Sequence, residues 1–186
     1  MLLLFSKQMS TLLDIQQLTK SVGDRILFSN ISFSVQEGER IGLIARNGTG
    51  KTTLLNILMS KDVADSGSIV FQKDICVGYL SQSPKFAPEQ TVLDACFQEA
   101  GALSQLISRY EQALQSQDMD ELQILIEEMD RRGAWDFEQK AKQILTLLNI
   151  TEFDKPIGML SGGQVKRVAL ANLLLTDPDL LIMDEP

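Results

Sequence analysis

The sequence predicts an α/β fold in which a β-rich layer is interrupted by helices and then resumed. Three observations predict it. Residues 10–80 hold short stretches that alternate in polarity or run apolar, as strands do. From Gln90 to about Ile150 helix formers dominate and strand signals vanish. Leu180 to Met183 then returns to a short apolar run of strand type.

Residues 1–9 read as a flexible extension, because the Leu2–Phe5 run is far shorter than a signal-peptide core and Met9 can serve as a second start. Leu27, Asn30, Ile31, Phe33 and Val35 sit in near-alternation, as in a half-buried strand. Glu37-Gly38-Glu39-Arg40 is a turn, and the apolar run Ile41 to Ile44 is expected as a strand buried on both faces. A glycine-rich stretch follows. A helix is predicted from Lys51 to about Ser60, with Leu54, Leu55 and Leu58 on one face. Ser68 to Gln72 and Ile75 to Leu80 are two more strands. The character changes at Gln82, where Ser83, Pro84, Ala87 and Pro88 make a linker.

Three amphipathic helices follow: one carries Leu103, Leu106, Ile107 and Tyr110, the next Leu122, Leu125, Ile126 and Met129, and the last Phe137, Ala141, Ile144, Leu145 and Leu148. Residues 161–175 form a fourth helix. The expected divisions are thus a β-rich first part over 10–82, a helical subdomain over 83–158, and a closing segment over 159–186.

Composition narrows the chemistry. The chain has 186 residues, 44% of them apolar, which suits one globular domain or a large piece of one. Seventeen basic against 25 acidic residues give a net charge of −8, so direct non-specific nucleic-acid binding is not expected. Two cysteines, Cys76 and Cys96, are too few for a disulfide framework, and a reducing, cytoplasmic setting is expected. No apolar run approaches the ~18 residues of a membrane span, so no membrane insertion is expected. The sequence contains no histidine, which removes Ser-His-Asp catalysis, His-ligated zinc and His general bases. Chemistry must rest on carboxylates, lysine, hydroxyls or backbone amides.

Ala45-Arg46-Asn47-Gly48-Thr49-Gly50-Lys51-Thr52 lies between a predicted strand and a predicted helix, and fits G-x-x-x-x-G-K-[ST] except at its first position. Glycines let such a loop curl so that successive N–H groups face an anion at the positive end of the next helix. Asn47, Gly48, Thr49, Gly50, Lys51, Thr52 and Thr53 are the candidate phosphate-binding residues, with Thr52 also a Mg²⁺ ligand. Ala45 in place of the first glycine is tolerable if its φ is negative and costly otherwise. A second glycine-bearing helix start, Ser161-Gly162-Gly163-Gln164, follows Leu160, with Ser161 a natural N-cap. Two anion-binding helix starts in one chain are explained by a nucleotide clamped between facing motifs of a pair. The run Leu180–Met183 ends in Asp184 and Glu185. Asp184 is a candidate Mg²⁺ ligand, and Glu185 can orient or deprotonate an attacking water. Gln82, where the helical part begins, is a candidate contact to the metal or the water.

These residues resemble the ATP-binding cassette (ABC) ATPases: Ala45–Thr52 is similar to the Walker A loop, Ser81-Gln82 to the Q-loop, Leu160–Gln164 to the LSGGQ signature, and Leu180–Glu185 to the Walker B strand with its glutamate. The resemblance covers residues 10–186. It implies a P-loop NTPase core with an inserted helical subdomain, ATP and Mg²⁺ as ligands, and head-to-tail pairing with a second cassette. Ser161 and Gly163 would then touch the γ-phosphate bound on the partner cassette.

Within the family the chain looks most like the first cassette of the soluble ABC-F proteins, which are ribosome-associated translation factors. The pointers are EGERIGLIARNGTGKTTLLNIL, GYLSQ and GAWDFEQKAKQILTLLNI. The resemblance makes the ribosome a candidate partner and a helical hairpin at about 100–132 a candidate for the arm that these proteins carry.

Val22 falls where the family places an adenine-stacking aromatic, so weak base selectivity is expected, with Phe28 the first substitute to consider. The chain stops just after the Walker B motif, and by itself it is expected to hydrolyse ATP negligibly. The alternatives are the nucleotide-binding subunit of an ABC membrane transporter and a pseudo-cassette that binds ATP without turnover.

Overall fold

The computed structural model of the chain describes residues 10–99 and 102–185. The extension expected over 1–9, the start of the hairpin expected at about 100, and Pro186 lie at least partly outside the described residues. The order of elements is β1 (Thr11–Val22), β2 (Arg25–Gln36), α1 (Lys51–Leu58), β3 (Ser66–Phe71), β4 (Val77–Leu80), α2 (Val92–Glu99), α3 (Ala102–Ser116), α4 (Met119–Arg132), α5 (Phe137–Leu147), α6 (Gly162–Leu175) and β5 (Leu180–Met183).

Two compact units result. Residues 10–79 with 178–184 form the first, and residues 80–177 with Glu185 form the second.

In the first unit β1 lies between β2 and β3, antiparallel to both. β1 and β2 are joined by the two-residue turn Gly23-Asp24, the shortest connection an antiparallel pair allows. The alternation read from the sequence is interrupted here, because Gln17 and Asn30 take positive φ of 50° and 59° and the β1–β2 register shifts around Leu18. Gly67 lets β3 pass close to β1: with φ of +100°, a Cβ there would meet the carbonyl oxygen of Gln16 at 2.6 Å. Leu12, Leu13, Ile15 and Leu18 of β1 share one core with Leu54, Ile57 and Leu58 of α1 and with Leu180 and Ile182 of β5. This places the start of α1 and the end of β5 on one packed body.

The strand expected at Ile41–Ile44 is absent. The segment has no regular structure, and Ile41, Leu43 and Ile44 are 49%, 45% and 96% exposed. Among the described residues, the sheets are β2-β1-β3 and β4-β5, and neither pairs with this stretch. An apolar run makes a segment suitable for an inner strand, but strand formation needs a neighbour's N–H and C=O groups. The ends of the other elements fall within a few residues of expectation.

The second unit holds α2, which lies in the helix-forming stretch expected from Gln90 but was not singled out as a helix of its own. Val92, Ala95 and Cys96 of α2 pack against Ala141 and Leu145 of α5 and Val168 and Ala171 of α6. α3 and α4, joined by Gln117-Asp118, pack on each other through Leu106, Ala113, Leu122, Leu125 and Met129. Asp118 caps α4, Gly133 closes it in the left-handed conformation, and the Arg109–Glu121 ion pair at 2.8 Å spans the two helices. The result is an antiparallel helical hairpin. No helix among the described residues is long and apolar enough to cross a membrane.

Two outcomes follow from this packing. Leu145 is fully buried whereas Leu147, two residues on, is 81% exposed. Leu145→Ala should cost about 2–5 kcal/mol through the cavity it leaves, and Leu147→Ala within about 0.5 kcal/mol. Urea unfolding followed through the single tryptophan, Trp135, measures both, and equal midpoints would contradict the core described for α5. Burial pushes the Cys96 thiol up to about 12, while Cys76 is exposed. A disulfide reagent at pH 8 should therefore label Cys76 in the native protein and reach Cys96 only after unfolding. Equal native labelling rates would refute the burial of Cys96.

Candidate functional site

The loop Ala45–Gly50 curls ahead of α1, exposed over Ala45–Gly48 and half-buried at Thr49 and Gly50. Gly48 and Gly50 take φ of +76° and +98°, the left-handed region that glycine enters without a Cβ penalty. Ala45 is not among the residues of positive φ, so the methyl group that replaces the first glycine is accommodated. Gly50 is the N-cap of α1 and supplies no side-chain acceptor, and the first turn of α1 holds no acidic residue. The N–H groups at this helix start therefore keep their positive end toward solvent, as an anion site requires.

Lys51 is folded onto its own loop. Its ammonium donates to the carbonyls of Ala45 at 2.9 Å and Arg46 at 3.3 Å. The Thr49 hydroxyl also donates to the Arg46 carbonyl, at 2.7 Å, and tightens the turn. Arg25, which the sequence reading did not single out, donates to the Gly48 carbonyl at 3.1 Å. Its charge faces the loop from β2. Phe28 of β2 also lies here, its ring carbon 3.3 Å from where a Cβ on Gly50 would stand. Val22, at the end of β1, is 60% exposed.

β5 delivers the acidic pair. Asp184 is 4% exposed, and among the described residues its Oδ2 is buried without a hydrogen-bond partner. A buried carboxylate oxygen left unpaired is costly, and a cation satisfies it. The residues thus fit a Mg²⁺ ion held by Asp184 with hydroxyl and phosphate oxygens, a site that needs no cluster of protein ligands. Burial, and then the negative charge of Asp184, push the Tyr79 hydroxyl above the usual phenol range. Glu185 is held by Gln82, whose Nε2 donates to Glu185 Oε2 at 2.7 Å across 103 residues of sequence. This contact brings together two residues that the sequence named separately.

At the start of α6, Ser161 and Gln164 form a reciprocal capping box. The Gln164 amide donates to Ser161 Oγ at 3.3 Å, and the Ser161 amide donates to Gln164 Oε1 at 2.9 Å. The hydroxyl accepts in this bond and keeps its own proton for another acceptor. Gly162 and Gly163 are exposed, with open space where a Cβ would stand. Arg167, not anticipated, donates to the carbonyl of Leu148 at 2.9 Å and ties α6 to the end of α5.

Comparison with known proteins agrees with this assembly of motifs. Residues 28–186 match the family model described as ABC transporter. The chain is 39% identical over 95% of its length to the ABC transporter ATP-binding protein YfmR of Bacillus subtilis (strain 168), of which it covers 29%. It is 32% identical over 92% of its length to the energy-dependent translational throttle protein EttA of Mycobacterium tuberculosis (strain H37Rv), of which it covers 32%. It thus spans about a third of the length of these relatives. Among solved structures, the ADP conformation of MJ1267, an ATP-binding cassette of an ABC transporter, superposes with a TM-score of 0.65 and 27% identity, over 95% of this chain and 69% of that one. A P-loop NTPase fold with a helical insertion, the ordered motifs and a family match over residues 28–186 lead to one conclusion: the chain belongs to the ABC family and is an ATP-binding cassette.

Proposed function

We propose that the chain is the ATP-hydrolysing cassette of an ABC-F-type, ribosome-associated translation factor, working in the cytoplasm by nucleotide-dependent pairing with a second cassette. The observation that carries the hydrolytic part is the Gln82–Glu185 hydrogen bond, which fixes a carboxylate at the end of the acidic strand. The ABC-F part is supported by the likeness to EttA and by the α3–α4 hairpin, which fits the arm read from the sequence.

In this reading the ATP phosphates lie against the N–H groups of Asn47–Thr53. Lys51 exchanges its loop carbonyls for phosphate oxygens, a charge-assisted contact in place of a neutral one. Thr52 and Asp184 would hold Mg²⁺, which when bound neutralises charge across the β- and γ-phosphates. Glu185 orients the attacking water and accepts its proton, while Gln82 keeps the carboxylate turned toward that task. Ser161 and Gly163 donate to the γ-phosphate on the partner cassette, with Gly162 and Gln164 shaping the turn that presents them. Adenine rests against Val22 or Phe28, and base selectivity is weak. Pairing supplies contacts that a lone cassette lacks, so the 186-residue chain alone turns over slowly.

A second reading, the nucleotide-binding subunit of a membrane transporter, draws on the likeness to the transporter cassette MJ1267. Sedimentation of the full-length protein with purified ribosomes separates the two. ATP-dependent co-pelleting is expected, and retention by a membrane partner with no ribosome binding would favour the transporter.

Two further outcomes test the chemistry. Lys51→Ala should weaken ATP binding by about 1.5–3 kcal/mol, roughly 10- to 150-fold, in titration calorimetry. Unchanged affinity would remove the loop from the mechanism. Glu185→Gln should lower turnover of the paired cassettes by about 10²–10⁴-fold while ATP still binds. Phosphate release at the unmodified rate would take Glu185 out of the chemistry.

A further inference from the structure

We propose that Lys166 is a positioning residue for Glu185, linking the helix that presents Ser161–Gln164 to the main chain that carries this carboxylate. The inference rests on the catalytic reading of Glu185.

The Lys166 ammonium donates to the Glu185 backbone carbonyl at 2.6 Å. Among the described residues that carbonyl is the polar partner its ammonium meets, and no acidic side chain competes for it. Lys166 lies in α6, three residues beyond Gly163, or about 4.5 Å along the helix axis.

Glu185 needs such a hold. Its φ is +51°, a left-handed conformation that a non-glycine residue keeps only when its surroundings impose it. The imposition comes from two directions. Gln82 grips the carboxylate and Lys166 grips the main chain. A hydrogen bond to the side chain alone would leave the peptide free to rotate, and one to the carbonyl alone would leave the carboxylate free. Together they fix both.

The consequence is a mechanical one. The first turn of α6 reads the nucleotide on the partner cassette, and the next turn carries the ammonium that holds Glu185. A shift of the α6 start on partner binding therefore reaches Glu185 through a single charge-assisted contact. Lys166 acts through the Glu185 main chain, so its loss should spare binding and slow the chemical step.

The test uses the full-length protein with Lys166→Met, Lys166→Arg and Glu185→Gln. Lys166→Met should lower kcat by about ten- to a hundredfold, the scale of a misplaced reacting group, with KM within about twofold. Lys166→Arg, which keeps a cationic donor, should recover most of the rate. Hydrogen exchange supplies a readout independent of turnover. In Lys166→Met the amides of Asp184 and Glu185 should exchange about tenfold faster, as expected for one lost charge-assisted hydrogen bond, with α6 unchanged. Unchanged kcat and unchanged exchange in Lys166→Met would overturn the proposal. Full turnover in Glu185→Gln would instead overturn the catalytic reading, and the exchange measurement would still decide whether Lys166 anchors the chain there.

Discussion

The positive end of α1 has no side-chain cap, and much of the first unit is arranged around that fact. An uncapped helix start exposes unpaired N–H groups and costs stability relative to a capped one. Gly50 accepts this cost because its φ of +98° turns the preceding chain aside and leaves the amides facing outward. The loop is kept in shape from its other side, where Thr49 and Lys51 close on the carbonyls of Ala45 and Arg46 and Arg25 closes on Gly48. Behind it, Leu54, Ile57 and Leu58 fasten α1 to β1 and β5 in one core. Most of the loop is exposed, but the helix that aims it is packed in place.

The start of α6 shows the opposite solution to the same electrostatic problem. Ser161 and Gln164 cap each other, so this helix start is stable by itself, and the two glycines between them let a ligand approach the backbone. The difference matches the work proposed for each. An anion-binding loop gains from amides with nothing else to bond. A helix start that meets a nucleotide from outside gains from keeping its shape while unpaired. Arg167 and Lys166 extend that rigidity, one to the end of α5 and the other to Glu185.

Asp184 and Glu185 are neighbours in sequence with different surroundings. Asp184 is buried with an oxygen that has no partner among the described residues, an arrangement a cation would satisfy, while Glu185 is held by Gln82 and Lys166 in a left-handed backbone. Tyr79, packed near Asp184, feels its charge.

The sequence by itself determined the motifs and the order of the elements. Glycine spacing in 45–52, the Ser-Gly-Gly-Gln helix start and the apolar run ending in Asp-Glu are local signals, because each depends on backbone freedom or burial over a few residues. Helix periodicity in Phe137–Leu148 and Leu122–Met129 was legible for the same reason. What the tertiary structure decided is pairing. Ile41–Ile44 reads as a buried strand yet has no strand neighbour, since an apolar pattern reports what a segment tolerates and not who stands beside it. The contacts of Gln82 with Glu185, Lys166 with Glu185, and Arg25 with Gly48 join residues 103, 19 and 23 positions apart. No spacing rule encodes such contacts: they exist because the chain returns on itself, and they are what set the loop and the carboxylate in place.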